Sequence, residues 1–138
     1  EFADSLGITI FYVSNRKEKF TREGTIKNME SLQLPQLKEE QILLRTNERS
    51  KEIRRQNISE NYSIVLFLGD NMGDFYEDTR IFSEREKTVL ENKKEFGKKF
   101  IVLPNSIYGD WTRSINLPGT EKTIDSLLQV MADKHYSN

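Results

Sequence analysis

The chain has 138 residues, with 21 lysines and arginines against 22 aspartates and glutamates, and it contains no cysteine. This length allows one compact domain at most, and the net charge of −1 argues against a protein that binds nucleic-acid polymers through a basic surface. Without cysteine there can be no disulfide framework, no thiolate-ligated zinc or iron–sulfur cluster and no thiol catalysis.

The apolar residues occur in short clusters. The longest unbroken apolar run, residues 64–68, is far shorter than the roughly 20 residues that a membrane-spanning helix needs. The first four residues lack the positive and apolar regions of a signal peptide, and the chain does not begin with methionine. We therefore expect a processed product or a piece of a longer protein.

Short apolar runs alternate with longer amphipathic segments along the chain. Runs rich in β-branched and aromatic side chains predict four strands, at residues 8–13, 42–44, 64–68 and 100–103. Capping residues and apolar spacing predict four helices, over residues 21–32, 51–58, 83–96 and from residue 120 onwards. This alternation predicts a parallel sheet with helices on both faces, and the chemistry of such sheets lies at the carboxyl ends of the strands.

The first strand is predicted to end at Ser14, which is followed by Asn15 and Arg16. A hydroxyl, an amide and a guanidinium at one strand end can hold an anion such as phosphate. The same three residues also suit an ordinary turn after a strand, which is the more frequent case.

Lys51 lies at the start of the second predicted helix. The amino end of a helix attracts anions, and a lysine there can neutralise a phosphate or steady a carboxylate. Taken alone, however, such a residue is more often an ordinary surface lysine.

The strand at residues 64–68 leads directly into Gly69 and Asp70, and Asp74 follows four residues later. Two carboxylates around a glycine-containing turn suit a hard cation such as Mg²⁺, which also takes phosphate oxygens and water as ligands. A solvated acidic loop explains the same residues equally well. The spacing is not that of an EF-hand, because Met72 stands where that loop needs an oxygen ligand.

The last predicted strand leads into a loop that contains Tyr108 and Trp111. These aromatic rings can stack on a planar ligand, although aromatic side chains more often pin such a loop to the core. The single histidine, His135, lies three residues from the last residue, so we expect no Ser-His-Asp triad.

Four stretches, taken in order, closely resemble the class C acid phosphatases, which are bacterial surface lipoproteins of the haloacid dehalogenase superfamily. These stretches are FYVSNR (11–16), SKEIRR (50–55), VLFLGDNMGDF (65–75) and FGKKFIVLPNSIYGDW (96–111). The last two are the most specific, and the resemblance extends over nearly the whole chain. It implies a Rossmann-like, haloacid dehalogenase-like fold of which residues 1–138 form the C-terminal part of a single phosphatase domain.

The resemblance also implies roles for the residues at the strand ends. Ser14 matches the family's residue that hydrogen-bonds the phosphoryl group, and Asn15 beside it would make a further phosphate contact. Lys51 matches the lysine that neutralises the nucleophile and the phosphate. Asp70 matches a direct Mg²⁺ ligand, and Asp74 matches the second carboxylate that supports the metal or its water. Tyr108 matches the tyrosine that packs on the base of a nucleotide substrate.

One motif of the family is missing. The family's first strand ends in an Asp-x-Asp pair that supplies the nucleophile and the general acid–base, and this sequence contains no Asp-x-Asp. In the family's sheet that strand lies at the centre, between the strands that end here at Ser14 and Asp70. Its absence would leave unpaired backbone groups, each of which costs roughly 1–3 kcal/mol when buried. We therefore expect an N-terminal segment or a separate chain to complete the sheet, and we expect these residues alone not to fold stably.

The resemblance implies a Mg²⁺-dependent acid phosphatase in the complete protein, with phosphomonoesters such as nucleoside 5′-monophosphates as substrates and an aspartyl-phosphate as intermediate. The alternative is a truncated, catalytically inactive surface protein that binds phosphate and metal. A receiver domain fits less well, because it lacks the PN…YGDW segment. By resemblance alone, the protein belongs to the bacterial cell envelope, with membrane attachment only through an upstream lipid anchor. The sequence also allows a homo-oligomer.

Overall fold

Strands and helices alternate along the chain, as the apolar pattern predicts. The computed structural model describes residues 1–77 and 81–105, so the helix predicted from residue 120 onwards lies outside the described residues. The described helices are α1 (Phe2–Ser5), α2 (Glu18–Ser31), α3 (Glu52–Ser59) and α4 (Phe82–Glu91), and the strands are β1 (Tyr12–Lys17), β2 (Ile42–Arg45), β3 (Phe67–Gly69) and β4 (Phe100–Val102). Short 3-10 helices cover Glu39–Gln41 and Met72–Asp74. The chain divides into two units, Glu1–Tyr62 and Ser63–Asn138.

The first unit is built on the parallel pair of β1 and β2. Tyr12 pairs with Ile42 and Val13 with Leu43, and the register then becomes irregular before Lys17 pairs with Arg45. Its buried apolar side chains are Ile42, Leu44 and Ile58, from β2 and α3. β2 therefore supplies most of the buried apolar side chains of this unit, as its run of aliphatic residues predicts.

The described part of the second unit is built on the parallel pair of β3 and β4. Phe67 pairs with Phe100, and Gly69 pairs with Val102. Phe100 is buried and lies at the centre of an aromatic cluster. The other rings of the cluster, with centroids 5.1–5.6 Å from that of Phe100, belong to Phe67, Phe75, Tyr76 and Phe96. This spacing is typical of stabilising aromatic contacts.

The first strand lies further along the chain than predicted. The backbone of residues 8–10 is hydrogen-bonded by the Gln36 side chain, which accepts from the amide of Ile10 at 3.0 Å and donates to the carbonyl of Ile8 at 2.9 Å. The strand begins at Tyr12 and extends to Lys17, so the prediction that it ends at Ser14 is wrong, and Ser14 lies within the strand. The helix α2 begins at Glu18, three residues before its predicted start, and the Thr21 hydroxyl donates to the Lys17 carbonyl one turn earlier.

Of the later elements, β3 covers Phe67–Gly69 and begins three residues after its predicted start at residue 64. The other strands and the helix α3 agree with the predictions more closely. β2, α3 and β4 lie within one or two residues of their predicted positions. The helix α4 begins one residue before its predicted start, but it ends at Glu91 instead of residue 96, and its Leu90 side chain is exposed. Gly97, at the predicted stop, has a φ of +78°, which favours glycine.

Apolar side chains of β3 and of the residues before it are exposed. Val65, Leu66 and Leu68 expose 63, 44 and 63% of their surface. Among the described residues β3 pairs with β4, and β1 with β2, without a ladder that joins the two pairs. The neighbouring strand that we expect from elsewhere stays a prediction. Of the described helices, none is long and apolar enough to cross a membrane.

Candidate functional site

Ser14 and Asn15 lie where β1 departs from regular pairing with β2. Residues 14–16 of β1 stand opposite one residue of β2, because Val13 pairs with Leu43 and Lys17 with Arg45. Bulges of this kind redirect side chains and are common beside functional sites. The Ser14 hydroxyl oxygen accepts the Arg16 amide at 3.2 Å, so the ordinary turn that the sequence allowed is present. The hydroxyl proton of Ser14 is still able to donate to a phosphate oxygen.

Arg54 of α3 connects this bulge to the start of its own helix. One guanidinium nitrogen, Nη1, donates to the Ser14 carbonyl at 2.6 Å. The other, Nη2, donates to Oδ1 of Asn15 at 2.6 Å and to the carbonyl of Ser50 at 3.2 Å. The Ser14 carbonyl, at the irregular part of the strand, thereby gains a charged donor. The two stretches that carry Ser14 and Lys51 are thus held together by a single side chain.

Lys51 is half-buried and is the N-cap residue of α3. A cation at this end of a helix opposes the helix dipole, at a cost of about 0.3–1 kcal/mol when exposed. Glu52, in the first turn, has the favourable charge, and its amide donates to the Ser50 hydroxyl at 3.1 Å. An anion bound at this helix start would be favoured both by the dipole and by Lys51.

The charge around Arg54 favours anions as well. Burial, with the positive charges of Arg45 and Arg55, lowers the pKa of Arg54 below its ordinary value. An arginine nevertheless stays protonated in proteins. Its acceptors in the Ser14 carbonyl, the Asn15 side chain and the Ser50 carbonyl are neutral oxygens, and within residues 1–77 and 81–105 it forms no ion pair with a carboxylate. The positive charge next to Ser14 and Asn15 is therefore available to an anion.

Asp74 shapes the loop that follows β3. Its Oδ2 accepts the backbone amides of Asp70 at 2.9 Å and of Asn71 at 3.0 Å. Gly69 makes room for this arrangement, because a Cβ at that position would lie 2.6 Å from Cγ of Asp74. The second carboxylate of the predicted metal pair therefore has a structural role in the loop. Its role toward a metal stays a prediction.

Two asparagine side chains hold the carboxylate of Asp70. Asn105, just beyond β4, donates to Oδ2 at 2.7 Å, and Asn71 donates to Oδ1 at 3.2 Å. β3 and β4 are parallel neighbours, so their carboxyl ends bring Asp70 and Asn105 to the same edge. The Asp70 carboxylate is exposed and fixed from both sides.

The donor set around Asp70 fits a hard divalent cation. An ionised carboxylate has about four acceptor positions and is a ligand that hard divalent cations prefer. Among the described residues there is no group of three or more His, Cys, Asp or Glu side chains that could enclose a metal ion. Such an open site suits Mg²⁺, which binds through one or two carboxylates and otherwise through water and substrate phosphate oxygens.

The predicted site residues divide between the two units. Ser14, Asn15 and Lys51 belong to the first unit, and Arg54 links their segments. Asp70 and Asp74 belong to the second and share one loop. Tyr108, predicted to stack on a nucleotide base, lies outside the described residues.

Sequence reasoning missed Arg54 and Asn105. Arg54 follows Lys51 by three residues, and this spacing places both on one helix face. Asn105 is the second residue after a predicted strand end, where chemistry is expected in parallel sheets. The sequence therefore indicated both positions, but it did not indicate which residues the side chains of Arg54 and Asn105 contact.

The comparisons with known proteins concern the family and the fold. Residues 1–111 match the family model for the acid phosphatases of HAD superfamily subfamily IIIB. The fold is similar to that of the class C acid phosphatase from Bacillus anthracis, with 36% identity and a TM-score of 0.79. It is also similar to the tungstate-bound structure of a class C acid phosphatase from the same organism, with 37% identity and a TM-score of 0.80.

These matches cover 99% of this chain and 58% of each of the two phosphatase chains. The chain thus spans somewhat more than half the length of the relatives that it matches. The findings confirm the predicted α/β fold class and the resemblance stated from the four sequence stretches. The chain belongs to the acid phosphatases of HAD superfamily subfamily IIIB.

Proposed function

We propose that the complete protein is a Mg²⁺-dependent acid phosphatase that hydrolyses phosphomonoesters, including nucleoside 5′-monophosphates, through an aspartyl-phosphate. The observation that carries this proposal is the link that Arg54 makes between the Ser14–Asn15 bulge and the start of α3. The tungstate bound to the Bacillus anthracis relative adds support, because tungstate is a tetrahedral oxyanion like phosphate.

In this proposal Ser14, Asn15 and Lys51 bind the phosphoryl group. The Ser14 hydroxyl and the Asn15 amide donate hydrogen bonds to its oxygens, and Lys51 neutralises its charge. Phosphoryl transfer depends mainly on positioning and on electrostatic stabilisation. Donors held by a bulge and a helix start meet both needs, because they require little reorganisation during the reaction.

Asp70 and Asp74 are the residues that would hold Mg²⁺. When bound, the ion supplies positive charge opposite the phosphoryl oxygens. Asn71 and Asn105 orient the Asp70 carboxylate through both of its oxygens. Asp74 keeps the loop in place through the backbone amides of Asp70 and Asn71.

We further propose that the nucleophilic Asp-x-Asp lies outside these 138 residues, on a segment or chain that completes the sheet. Three observations support this: the sequence has no Asp-x-Asp, the chain spans 58% of its relatives' length, and Val65, Leu66 and Leu68 are exposed. Asp4, the first aspartate, lies in α1, and its Oδ1 accepts from the Gln36 side chain at 2.7 Å, which is a structural contact.

Three parts of the proposal depend on the family resemblance alone. Tyr108 packs on the base of a nucleotide substrate. The protein is located in the bacterial cell envelope, and a lipid anchor upstream of these residues attaches it to a membrane. Comparing hydrolysis of a nucleoside monophosphate by Tyr108→Ala and wild-type protein tests the first, and cell fractionation tests the other two.

The central test uses the protein expressed with its upstream coding sequence. Hydrolysis of p-nitrophenyl phosphate and of adenosine 5′-monophosphate is measured with Mg²⁺ and with a chelator. Lys51→Ala and Asp70→Asn should each lower the turnover by about 100- to 1,000-fold, as removal of an electrostatic donor typically does. The matched control is Lys27→Ala, since the Lys27 side chain is 69% exposed and pairs only locally with Glu23.

Near-wild-type turnover in Lys51→Ala or Asp70→Asn would contradict the assignment. A complete protein that binds tungstate and Mg²⁺ but hydrolyses neither ester would instead support the alternative, an inactive surface protein that binds phosphate and metal.

A further inference from the structure

Arg54 fixes the direction in which the Asn15 amide points. A side-chain amide has an oxygen that accepts and a nitrogen that donates, on opposite sides of one planar group. The Asn15 oxygen accepts from the Arg54 guanidinium at 2.6 Å, so its nitrogen points away from Arg54. A phosphate oxygen needs a donor, so only this orientation allows Asn15 to bind phosphate.

The guanidinium also holds the backbone on either side of the site. It reaches the carbonyls of Ser14 and Ser50, which belong to β1 and to the turn before α3. Ser14 and Arg54 are 40 residues apart in the sequence, yet the planar guanidinium of Arg54 contacts both the segment with Ser14 and the segment with Lys51. Loss of this donor would remove the hydrogen bonds from Arg54 to both segments.

Lysine cannot reproduce this geometry. The guanidinium has five donors in a rigid, planar fork, whereas an ammonium is a compact point charge on a flexible stem. Two of the three contacts with Arg54 are 2.6 Å long, which is typical of charge-assisted hydrogen bonds. Arg54→Lys therefore preserves the charge and removes the simultaneous contacts.

We propose that Arg54 is a positioning residue for phosphate, which orients the Asn15 amide as a donor and sets the spacing between Ser14 and the start of α3. The proposal rests on the proposed function, because it concerns the same phosphate site. Arg54 itself acts through its neighbours and need not touch the substrate.

The experiment compares wild-type protein with Arg54→Lys, Arg54→Ala, Asn15→Ala and the double variant Asn15→Ala/Arg54→Ala, all with the upstream sequence present. The readouts are kcat, KM and the inhibition constant of tungstate. Arg54→Ala and Asn15→Ala should each raise the tungstate constant by about 10- to 100-fold, as expected for a lost hydrogen bond to a charged group. The tungstate inhibition constant of Arg54→Lys should lie closer to that of Arg54→Ala than to that of the wild type.

The double variant tests whether the two residues act together. If Arg54 acts through Asn15, the tungstate inhibition constant of the double variant should be no more than about threefold higher than that of Arg54→Ala, because contacting residues show non-additive effects. Effects that multiply in the double variant would overturn the proposal. Where Arg54→Ala melts below the assay temperature, Arg54→Lys replaces it in the same cycle.

The control variant is Arg22→Ala. Arg22 is also a partly buried arginine of the first unit, and it donates to the carbonyls of Ile42 and Glu39, away from Ser14 and Asn15. Arg22→Ala should lower stability without changing the tungstate constant. An equal change in that constant would show that Arg54→Ala acts only through lost stability, and would overturn the proposal.

The side-chain amide signal of Asn15 in a nuclear magnetic resonance spectrum separates this proposal from the proposed function. If the wild-type protein hydrolyses no phosphomonoester, the proposed function fails. A shifted Asn15 signal together with weaker tungstate binding in Arg54→Lys would still support the role of Arg54. An unmoved signal, or a wild-type protein that binds no tungstate, would overturn it.

Discussion

Replacing Gly69 with alanine should disrupt the loop that carries Asp70. A Cβ at Gly69 would lie 2.5 Å from Oδ2 and 2.6 Å from Cγ of Asp74. Carbon atoms in contact are normally about 3.5–4.0 Å apart, so the Asp74 side chain must move by about 1 Å. It cannot do so and keep Oδ2 at 2.9 Å and 3.0 Å from the amide nitrogens of Asp70 and Asn71.

The size of the effect follows from those two hydrogen bonds. Each hydrogen bond to a charged group contributes about 1.5–3 kcal/mol to stability. Asp74 is half-buried, so water replaces part of the loss, and the lower value applies to both bonds. Gly69→Ala should therefore lower the free energy of unfolding by about 2–4 kcal/mol, which also agrees with the usual cost of overpacking.

The measurement is the urea denaturation midpoint of the protein expressed with its upstream coding sequence, followed by circular dichroism. Gly24→Ala is the matched control, because Gly24 lies inside α2 and a Cβ there would meet nothing within 4 Å. Alanine is favoured over glycine inside a helix by roughly 0.5–1 kcal/mol. The same chemical change should thus destabilise the protein at position 69 and stabilise it at position 24.

An Asp74→Gly background tests the cause. This substitution removes the three atoms that a Cβ at Gly69 would approach, so there Gly69→Ala should cost less than about 1 kcal/mol, below the usual overpacking range. Equal losses in the two backgrounds would refute the packing argument. So would a Gly69→Ala protein that is as stable as the wild type.

Two further predictions concern the second unit. Asn105→Ala should raise the Mg²⁺ concentration for half-maximal binding by about 10-fold, the lower limit for residues that orient a metal ligand, and an unchanged Mg²⁺ titration would contradict the role of Asn105. The Tyr76 hydroxyl is buried and has no hydrogen-bond partner among the described residues, so Tyr76→Phe should leave stability unchanged or raise it by up to about 1–3 kcal/mol. Burial, with the charge of Glu95, raises the pKa of Tyr76. Because the folded protein favours the neutral form of Tyr76, this contribution to stability is complete below pH about 10, the ordinary pKa of tyrosine, and is lost as the pH rises through the folded-state pKa. Phenylalanine does not ionise, so Tyr76→Phe should also reduce the loss of stability at alkaline pH in urea titrations. A less stable variant with unchanged alkaline behaviour would refute this.

The order of the elements could be predicted because apolar runs such as residues 42–44, with Ile42 and Leu44 buried, reflect burial directly. The position of β1 could not, since Gln36 hydrogen-bonds the backbone of residues 8–10 from more than 25 residues away. A pattern of period two or 3.6 contains no information about such a contact.

The site residues also divide into those that the sequence predicts and those that depend on contacts between distant residues. Lys51 and Asp70 could be selected because one begins a helix and the other follows a strand. The sequence predicts Ser14 as a strand end, but it lies within β1. The bulge at residues 14–16 could not be predicted, because it depends on the register between two strands. The same holds for the contact between Asp70 and Asn105, which requires β3 and β4 to lie side by side. The single-domain organisation of residues 1–138 stays a prediction.

The exposed side chains of β3 and its preceding residues also have a consequence for self-association. Val65, Leu66 and Leu68 belong to an apolar run without proline or charge, and β3 pairs only with β4 among the described residues. A short apolar strand with a free edge is a template for intermolecular pairing and for aggregation. A protein that consists of residues 1–138 alone should therefore form concentration-dependent aggregates. A charged residue in place of Val65 or Leu68 should improve the solubility of this protein.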